Sequence, residues 1–304
     1  MLEVAVIALR WLQYSGAVVL LGAPLFLLYS FRGPDGPNLA WARPTLIVAT
    51  IIVALNSLAA LVAQTAVMAG SLSEALKPAS LSFMVTGTAL GMAMAARAVI
   101  ALLGLVAIAL LKPGRALWGL TATIGLVVAA SFAWTGHGAA TEGPNGLVHL
   151  IADIIHAVAA ALWLGALAAL TILLLRRAEP DNAAMHRALH GFAGLGTLAV
   201  VLLVLTGLVN SWFLVGPARV AELGAGLYGQ LLIAKLALFA VMLALAAGNR
   251  FGLTPGLGTV LARSEDPRQA LQRLRRSVVV ETLVGVVLLA VVAVMGTLAP
   301  PSAM

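Results

Sequence analysis

The segment from Trp134 to Leu170, WTGHGAATEGPNGLVHLIADIIHAVAAALWLGALAAL, holds three of the five histidines of the chain and an aspartate among them. From Asn145 onward it is apolar and has no internal proline, so it reads as a helix. At about 100° per residue His149, Asp153 and His156 then share one face, which Trp163 extends. His149 and His156 are two turns apart, roughly 10 Å along the axis, so a single ion reaches both only if the top of the helix unwinds. His149 therefore belongs near the mouth of the stripe and His156 deeper. His137 lies in a GHG turn across the short loop and can approach that mouth. Imidazoles grouped across one hairpin, with a carboxylate between two of them, suit a transition metal, and neutral imidazole suits copper or zinc. Hydrogen bonding between helices and haem ligation are the other readings of the same residues.

These side chains stand out because the rest of the chain spends so little on polarity. It has 304 residues, 62% of them hydrophobic and only 10% charged, with a mean hydropathy of +1.06. A soluble domain carries about 25% charged residues. The apolar runs exceed the ~20 residues that cross ~30 Å of hydrocarbon and lack the alternation of barrel strands. The expected fold is therefore all-α, a polytopic membrane protein built as one transmembrane domain over residues 1–304. Eight spans are expected near residues 4–30, 45–69, 81–110, 116–136, 146–175, 188–214, 227–249 and 278–298. The first run is kept as a span: it begins with Glu3 rather than lysines, continues past Leu20 and meets no A-x-A site.

The net charge of +7 does not point to nucleic acid, because the basic residues sit in short loops between spans. The loops after spans one, three, five and seven hold Arg32, Arg43, Lys112, Arg115, Arg176, Arg177, Arg187 and the arginines from Arg250 to Arg276, whereas the other loops hold Lys77 and Arg219. That bias orients the odd loops to the cytoplasm and both termini to the opposite, periplasm-like side. The histidine stripe then opens outward. The basic run PRQALQRLRRSVVVE reads as a helix lying on the inner leaflet or feeding the last span from it, held by anionic membrane lipids. Cysteine is absent, which removes thiolate metal sites and iron–sulfur clusters.

Other intramembrane polar groups invite partners, since insertion of a central charge costs about 2.5–3.5 kcal/mol. Asp153 and Lys235 lie at similar depth. They read either as an ion pair between helices or as a site in which the carboxylate ligates or orients a ligating histidine. Arg97 and Glu281 read as structural pairs or headgroup contacts, and Arg10 with Gln13 and Tyr14 as facing a hydrated interior. His186 and His190, spaced i and i+4 at the cytoplasmic start of span six, are candidates for a second site or for solvated histidines. Thioether is the soft ligand left without cysteine, and Met68 and Met84 are the methionines to examine, packing being the alternative role.

Four stretches together resemble one family: GHG, the pattern D-x-x-H-x-x-A-x-x-x-W-L-G-x-L from Asp153 to Leu167, YGQLLIAKLALFAVMLALAAGNR from Tyr228, and LRRSVVVETLVG from Leu274. The chain is similar to the CopD/PcoD family of bacterial inner-membrane copper proteins. The likeness covers most of the second half, and the first half matches mainly in span count. It implies copper resistance or uptake alongside a periplasmic copper carrier. The positions matching the shared pattern are His137, Asp153, His156, Trp163, Lys235, Asn249, Arg250, Arg276 and Glu281; His149 is added on geometry alone. The expectation is a copper permease-like protein, not an enzyme, binding Cu(I) or Cu(II) at His137, His149, Asp153 and His156. A haem-bearing redox protein and a docking scaffold for a copper chaperone are the alternatives. No G-x-x-x-x-G-K-[ST] loop is present, so nucleotide-driven pumping finds no support.

Overall fold

Within a bilayer, runs of Ala, Leu, Val and Gly have no hydrogen-bond partner for their backbone but the backbone itself, and this selects helices. The computed structural model describes residues 2–31, 39–136, 138–141, 143–176 and 182–303. Among the described residues every regular element is helical. They are α1 (Leu2–Ser30), α2 (Ala42–Ala69), α3 (Leu72–Ala75), α4 (Pro78–Gly87), α5 (Ala89–Leu110), α6 (Arg115–Ser131), α7 (Gly146–Leu175), α8 (Asn182–Leu214), α9 (Leu227–Gly248), α10 (Thr254–Ala262) and α11 (Arg268–Met295). Among the described residues eight segments are long and apolar enough to cross a membrane. The protein is thus a multi-pass membrane bundle. An even number of crossings leaves both termini at the same end of it.

The bundle is assembled around α1, which packs on α2, α6, α7, α11 and α8. Small residues let it do so. A Cβ added to Gly22 would meet Gly165 Cα of α7 at 2.6 Å and the Ala161 carbonyl oxygen at 2.7 Å, so the two backbones are in direct contact. One apolar cluster fills the space among α1, α2, α6 and the inner half of α7 and includes Leu20, Phe26, Trp41, Leu117 and Leu173. A second surrounds Trp163, Leu203, Met242 and Leu289.

Three boundaries differ from the sequence reading, each for a local reason. The third span is not one helix from residue 81: the chain breaks at Thr88, whose backbone is extended (φ −132°, ψ 137°). The Thr88 hydroxyl donates to the Met84 carbonyl at 2.7 Å and accepts from the Gly91 N–H at 3.0 Å, closing α4 and capping α5. The seventh span does not stop at Asn249 but runs on through a π turn, Asn249–Leu253, into α10. Pro255 is tolerated because it falls in the first turn of α10. The last span begins not near residue 278 but at Arg268: the basic segment feeds straight into it as the opening turns of α11, with Asp266 Oδ1 accepting the Arg268 N–H at 3.0 Å.

Candidate functional site

A cavity of about 500 Å³ lies between α1, α7, α8, α9 and α11. His149, Asp153 and His156 reach its wall from α7, Asn210 from α8, and Tyr228 and Lys235 from α9. Deeper along the same helices the lining turns apolar, with Trp163, Phe239 and Met242. Trp163 is held edge-on against Phe239, centroids 5.9 Å apart. The chamber is therefore polar toward the end that carries the termini and greasy toward the middle of the bundle.

Helix periodicity explains why α7 supplies three of these groups, and antiparallel packing explains their partners. As α7 and α8 run past each other, Asp153 faces Asn210 and His156 faces Thr206. The Asn210 amide donates to Asp153 Oδ1 at 3.3 Å, and the Gly138 backbone closes over the other oxygen: a Cβ there would sit 2.6 Å from Oδ2. The Thr206 hydroxyl lies 2.9 Å from His156 Nδ1 and 2.6 Å from the Leu202 carbonyl. If the Thr206 proton goes to the nearer Leu202 carbonyl, Nδ1 carries the hydrogen that Thr206 accepts and the lone pair of His156 falls on Nε2. A neutral imidazole with its second nitrogen tied down is the arrangement that orients a metal ligand.

His149 is fully buried, its ring stacked on Phe213 (centroids 4.7 Å apart, planes 9° from parallel) and its Nδ1 2.6 Å from the Thr141 hydroxyl. Since α7 remains helical from Gly146, His149 and His156 keep roughly the 10 Å separation of two turns. Among the described residues no three His, Asp or Glu side chains meet closely enough to enclose one ion. The site is a ladder of donors, not a closed cage. His137 lies outside the described residues. So do the side chains of His186 and His190, whose positions fall on the first turns of α8.

Asp153 and Lys235 share the cavity, yet no direct ion pair joins them among the described residues; the carboxylate is held by Asn210 and the Gly138 loop instead. Arg97, 1% exposed, has no carboxylate partner among the described residues. Its Nε donates to Ser131 Oγ (2.9 Å), Nη1 to Gln13 Oε1 (2.8 Å) and Nη2 to the Ser131 carbonyl (3.1 Å), while its plane covers the Phe132 ring at 4.0 Å. Phe132 and Tyr14, edge to face at 4.8 Å, are cavity wall, so Arg97 pins that wall from behind. Glu281 is paired with Asn249 across α11 and the π turn (2.8 Å).

The methionines fall elsewhere than expected. Met68 is 61% exposed at the end of α2, and Met84 is buried in a separate cluster with Ala60, Leu61 and Met94; neither lines the cavity. The thioethers on its wall are Met242 and Met295. Thr206, Asn210 and Tyr228 also escaped the sequence reading. The signal for the first two was present: they are the polar i, i+4 pair on one face of an otherwise apolar span.

Residues 1–147 match the family described as "Copper resistance protein D-like, N-terminal domain", and residues 186–295 match "Copper resistance protein D". The chain is 37% identical over 307 residues to the copper resistance protein D of Pseudomonas syringae pv. tomato, an alignment covering 97% of this chain and 96% of that one. It is 33% identical over 124 residues to the copper transport protein CutJ of Bacillus subtilis (40% of this chain, 22% of that one). It is 28% identical over 170 residues to the inner membrane protein YebZ of Escherichia coli, covering 55% of each. No solved structure is significantly similar to the chain. With eight apolar crossings, matches in both halves and near full-length identity to one relative, the chain belongs to the copper resistance protein D family.

Proposed function

We propose that this protein binds copper in the cavity between α7, α8 and α9 and carries it across the bacterial inner membrane. The observation that carries the reading is the placement of His156: its Nδ1 lies 2.9 Å from the Thr206 hydroxyl, and its ring borders the cavity one turn from a carboxylate on the same wall. Imidazole, carboxylate and thioether are all represented there, a donor set that serves Cu(II) through nitrogen and oxygen and Cu(I) through nitrogen and sulfur. The loop charges orient the termini, and with them the polar mouth, toward the periplasm, where a soluble copper carrier would load the site. Copper then meets His149 first and His156 next, with Asp153 between them balancing its charge. The relatives' names, a copper resistance protein and a copper transport protein, support the same cargo.

Copper flux into proteoliposomes containing only this protein, together with copper and haem content after purification, tests the proposal. The expected result is bound copper, no haem Soret band, and flux above that of empty liposomes. A Soret band would replace the reading with a haem redox protein. Capture of a copper carrier without flux would replace it with a docking scaffold.

Thr206→Val, which keeps the shape and removes the hydroxyl, frees the His156 ring to change tautomer and turn. Loss of such a supporting partner lowers metal affinity by about 10–100-fold, and a chelator-competition titration should show a drop in that range. A copper affinity equal to that of the wild type would show that Thr206 does not hold the ring in its ligating orientation.

A further inference from the structure

The cavity accounts for the polar groups near the termini, but Glu281 lies toward the other end of the bundle and takes no part in it. Glu281 is 1% exposed. Asn249 Nδ2 donates to its Oε2 at 2.8 Å, while Glu281 Oε1 and Asn249 Oδ1 are both buried without a hydrogen-bond partner. Two oxygen acceptors are thus stranded on residues already bonded to each other. A buried acceptor left without a donor loses its hydration with nothing in exchange, so this pair is destabilising as it stands. A hydrogen on Oε1 would make the carboxyl a donor, and the unsatisfied acceptor Asn249 Oδ1 belongs to the residue already bonded to its other oxygen.

Among the described residues no charged side chain is ion-paired with Glu281. α11 is packed by α9, α7, α1, the π turn and α10. On the π turn, Arg250 is bonded to the Thr197 hydroxyl of α8. The inner half of α7 has no ionisable side chain and offers Thr171, which bonds Thr282 at 2.7 Å. α1 has Tyr29 near its inner end, and Arg263 beyond α10 and Arg276 on α11 are exposed. None of these is an ion-pair partner of Glu281 among the described residues.

The position is equally specific. The π turn, a form that recurs at functional sites, begins at Asn249 itself. One turn of α11 from Glu281, Gly285 lies against Leu164 and Met242, two residues of the cavity lining. The pair therefore sits about 6 Å along the helix from the greasy floor of the chamber.

We propose that Glu281 and Asn249 form a proton-binding site at the inner end of the bundle, with the proton held on Glu281 Oε1 and bridged to Asn249 Oδ1, and that this site couples copper movement to the proton gradient. The inference rests on the transport reading above for its coupling and on side-chain geometry alone for the proton. A proton arrives and leaves as such; only an O–H bond is made and broken. Glu281→Gln reproduces the protonated geometry, since its amide donates to Asn249 Oδ1 and accepts from Nδ2, and it removes the ability to release the proton.

Infrared difference spectra of purified wild type and Glu281→Gln at neutral pH, without sodium, test the site. The wild type should show a protonated-carboxyl carbonyl band that is absent from Glu281→Gln and shifted in Asn249→Leu. Absence of that difference, or a band that vanishes when sodium chloride is added, overturns the proton assignment. In proteoliposomes Glu281→Gln should bind copper as the wild type does, but its copper flux should no longer respond to an imposed pH gradient; an unchanged response overturns the coupling. Wild-type liposomes that carry no copper at all would instead refute the transport reading, and the infrared result would still decide the proton site.

Discussion

Copper retained by the purified protein is expected to collapse when His156 is replaced by alanine, by more than the ~10–100-fold that follows loss of a supporting partner alone. His156 is the imidazole held at Nδ1 by the Thr206 hydroxyl, and it faces the chamber between Asp153 and the apolar floor. The fold should survive, because the ring borders an existing cavity of about 500 Å³ and its removal enlarges a space without opening a new one. The deleted partner leaves the Thr206 hydroxyl still bonded to Leu202. Metal analysis and a thermal melt of the same preparation separate the two effects: full copper content with an unchanged melt would remove His156 from the site.

Gly165→Leu should fail to yield a folded, monodisperse protein. Overpacking costs about 1–3 kcal/mol where neighbouring side chains can yield. At Gly165 the neighbours are main chain: an added Cβ would lie 2.7 Å from Gly22 Cα and would overlap the Val18 carbonyl oxygen. Relief requires α1 and α7 to separate, and α1 is the helix on which α2, α6 and α11 also pack. Gly165→Ala is expected to show a milder form of the same defect. Size-exclusion chromatography of fluorescently tagged variants reads the outcome, and a wild-type elution profile with an unchanged melting temperature for Gly165→Leu would contradict it.

What could be read ahead of the structure divides along physical lines. Apolar runs longer than a bilayer announce helical crossings, because length and hydropathy are properties of consecutive residues. The shared face of His149, Asp153 and His156 was legible for a similar reason: helical periodicity is local. The partners were not. That Thr206 meets His156 and Asn210 meets Asp153 depends on the register between two helices, which no single segment encodes. Methionine illustrates the limit. Met68 and Met84 were singled out by depth alone, yet Met242 and Met295 are the ones whose rotation about the helix axis turns them inward. Helix ends were misjudged at Thr88, Asn249 and Arg268, where a hydroxyl cap, a π turn and an uninterrupted basic segment override the propensities of glycine and proline.

The glycine contact between α1 and α7 also limits how this molecule can move. Gly125 of α6 abuts the backbone of Leu20 and Leu21 in the same manner, with a Cβ allowed only 2.6 Å, so three helices are clamped main chain to main chain. Packed groups of that kind switch between discrete arrangements and do not slide continuously. Any rocking that exposes the chamber first to one side and then to the other has to be executed by the later helices, turning about the first, sixth and seventh as about a fixed axle.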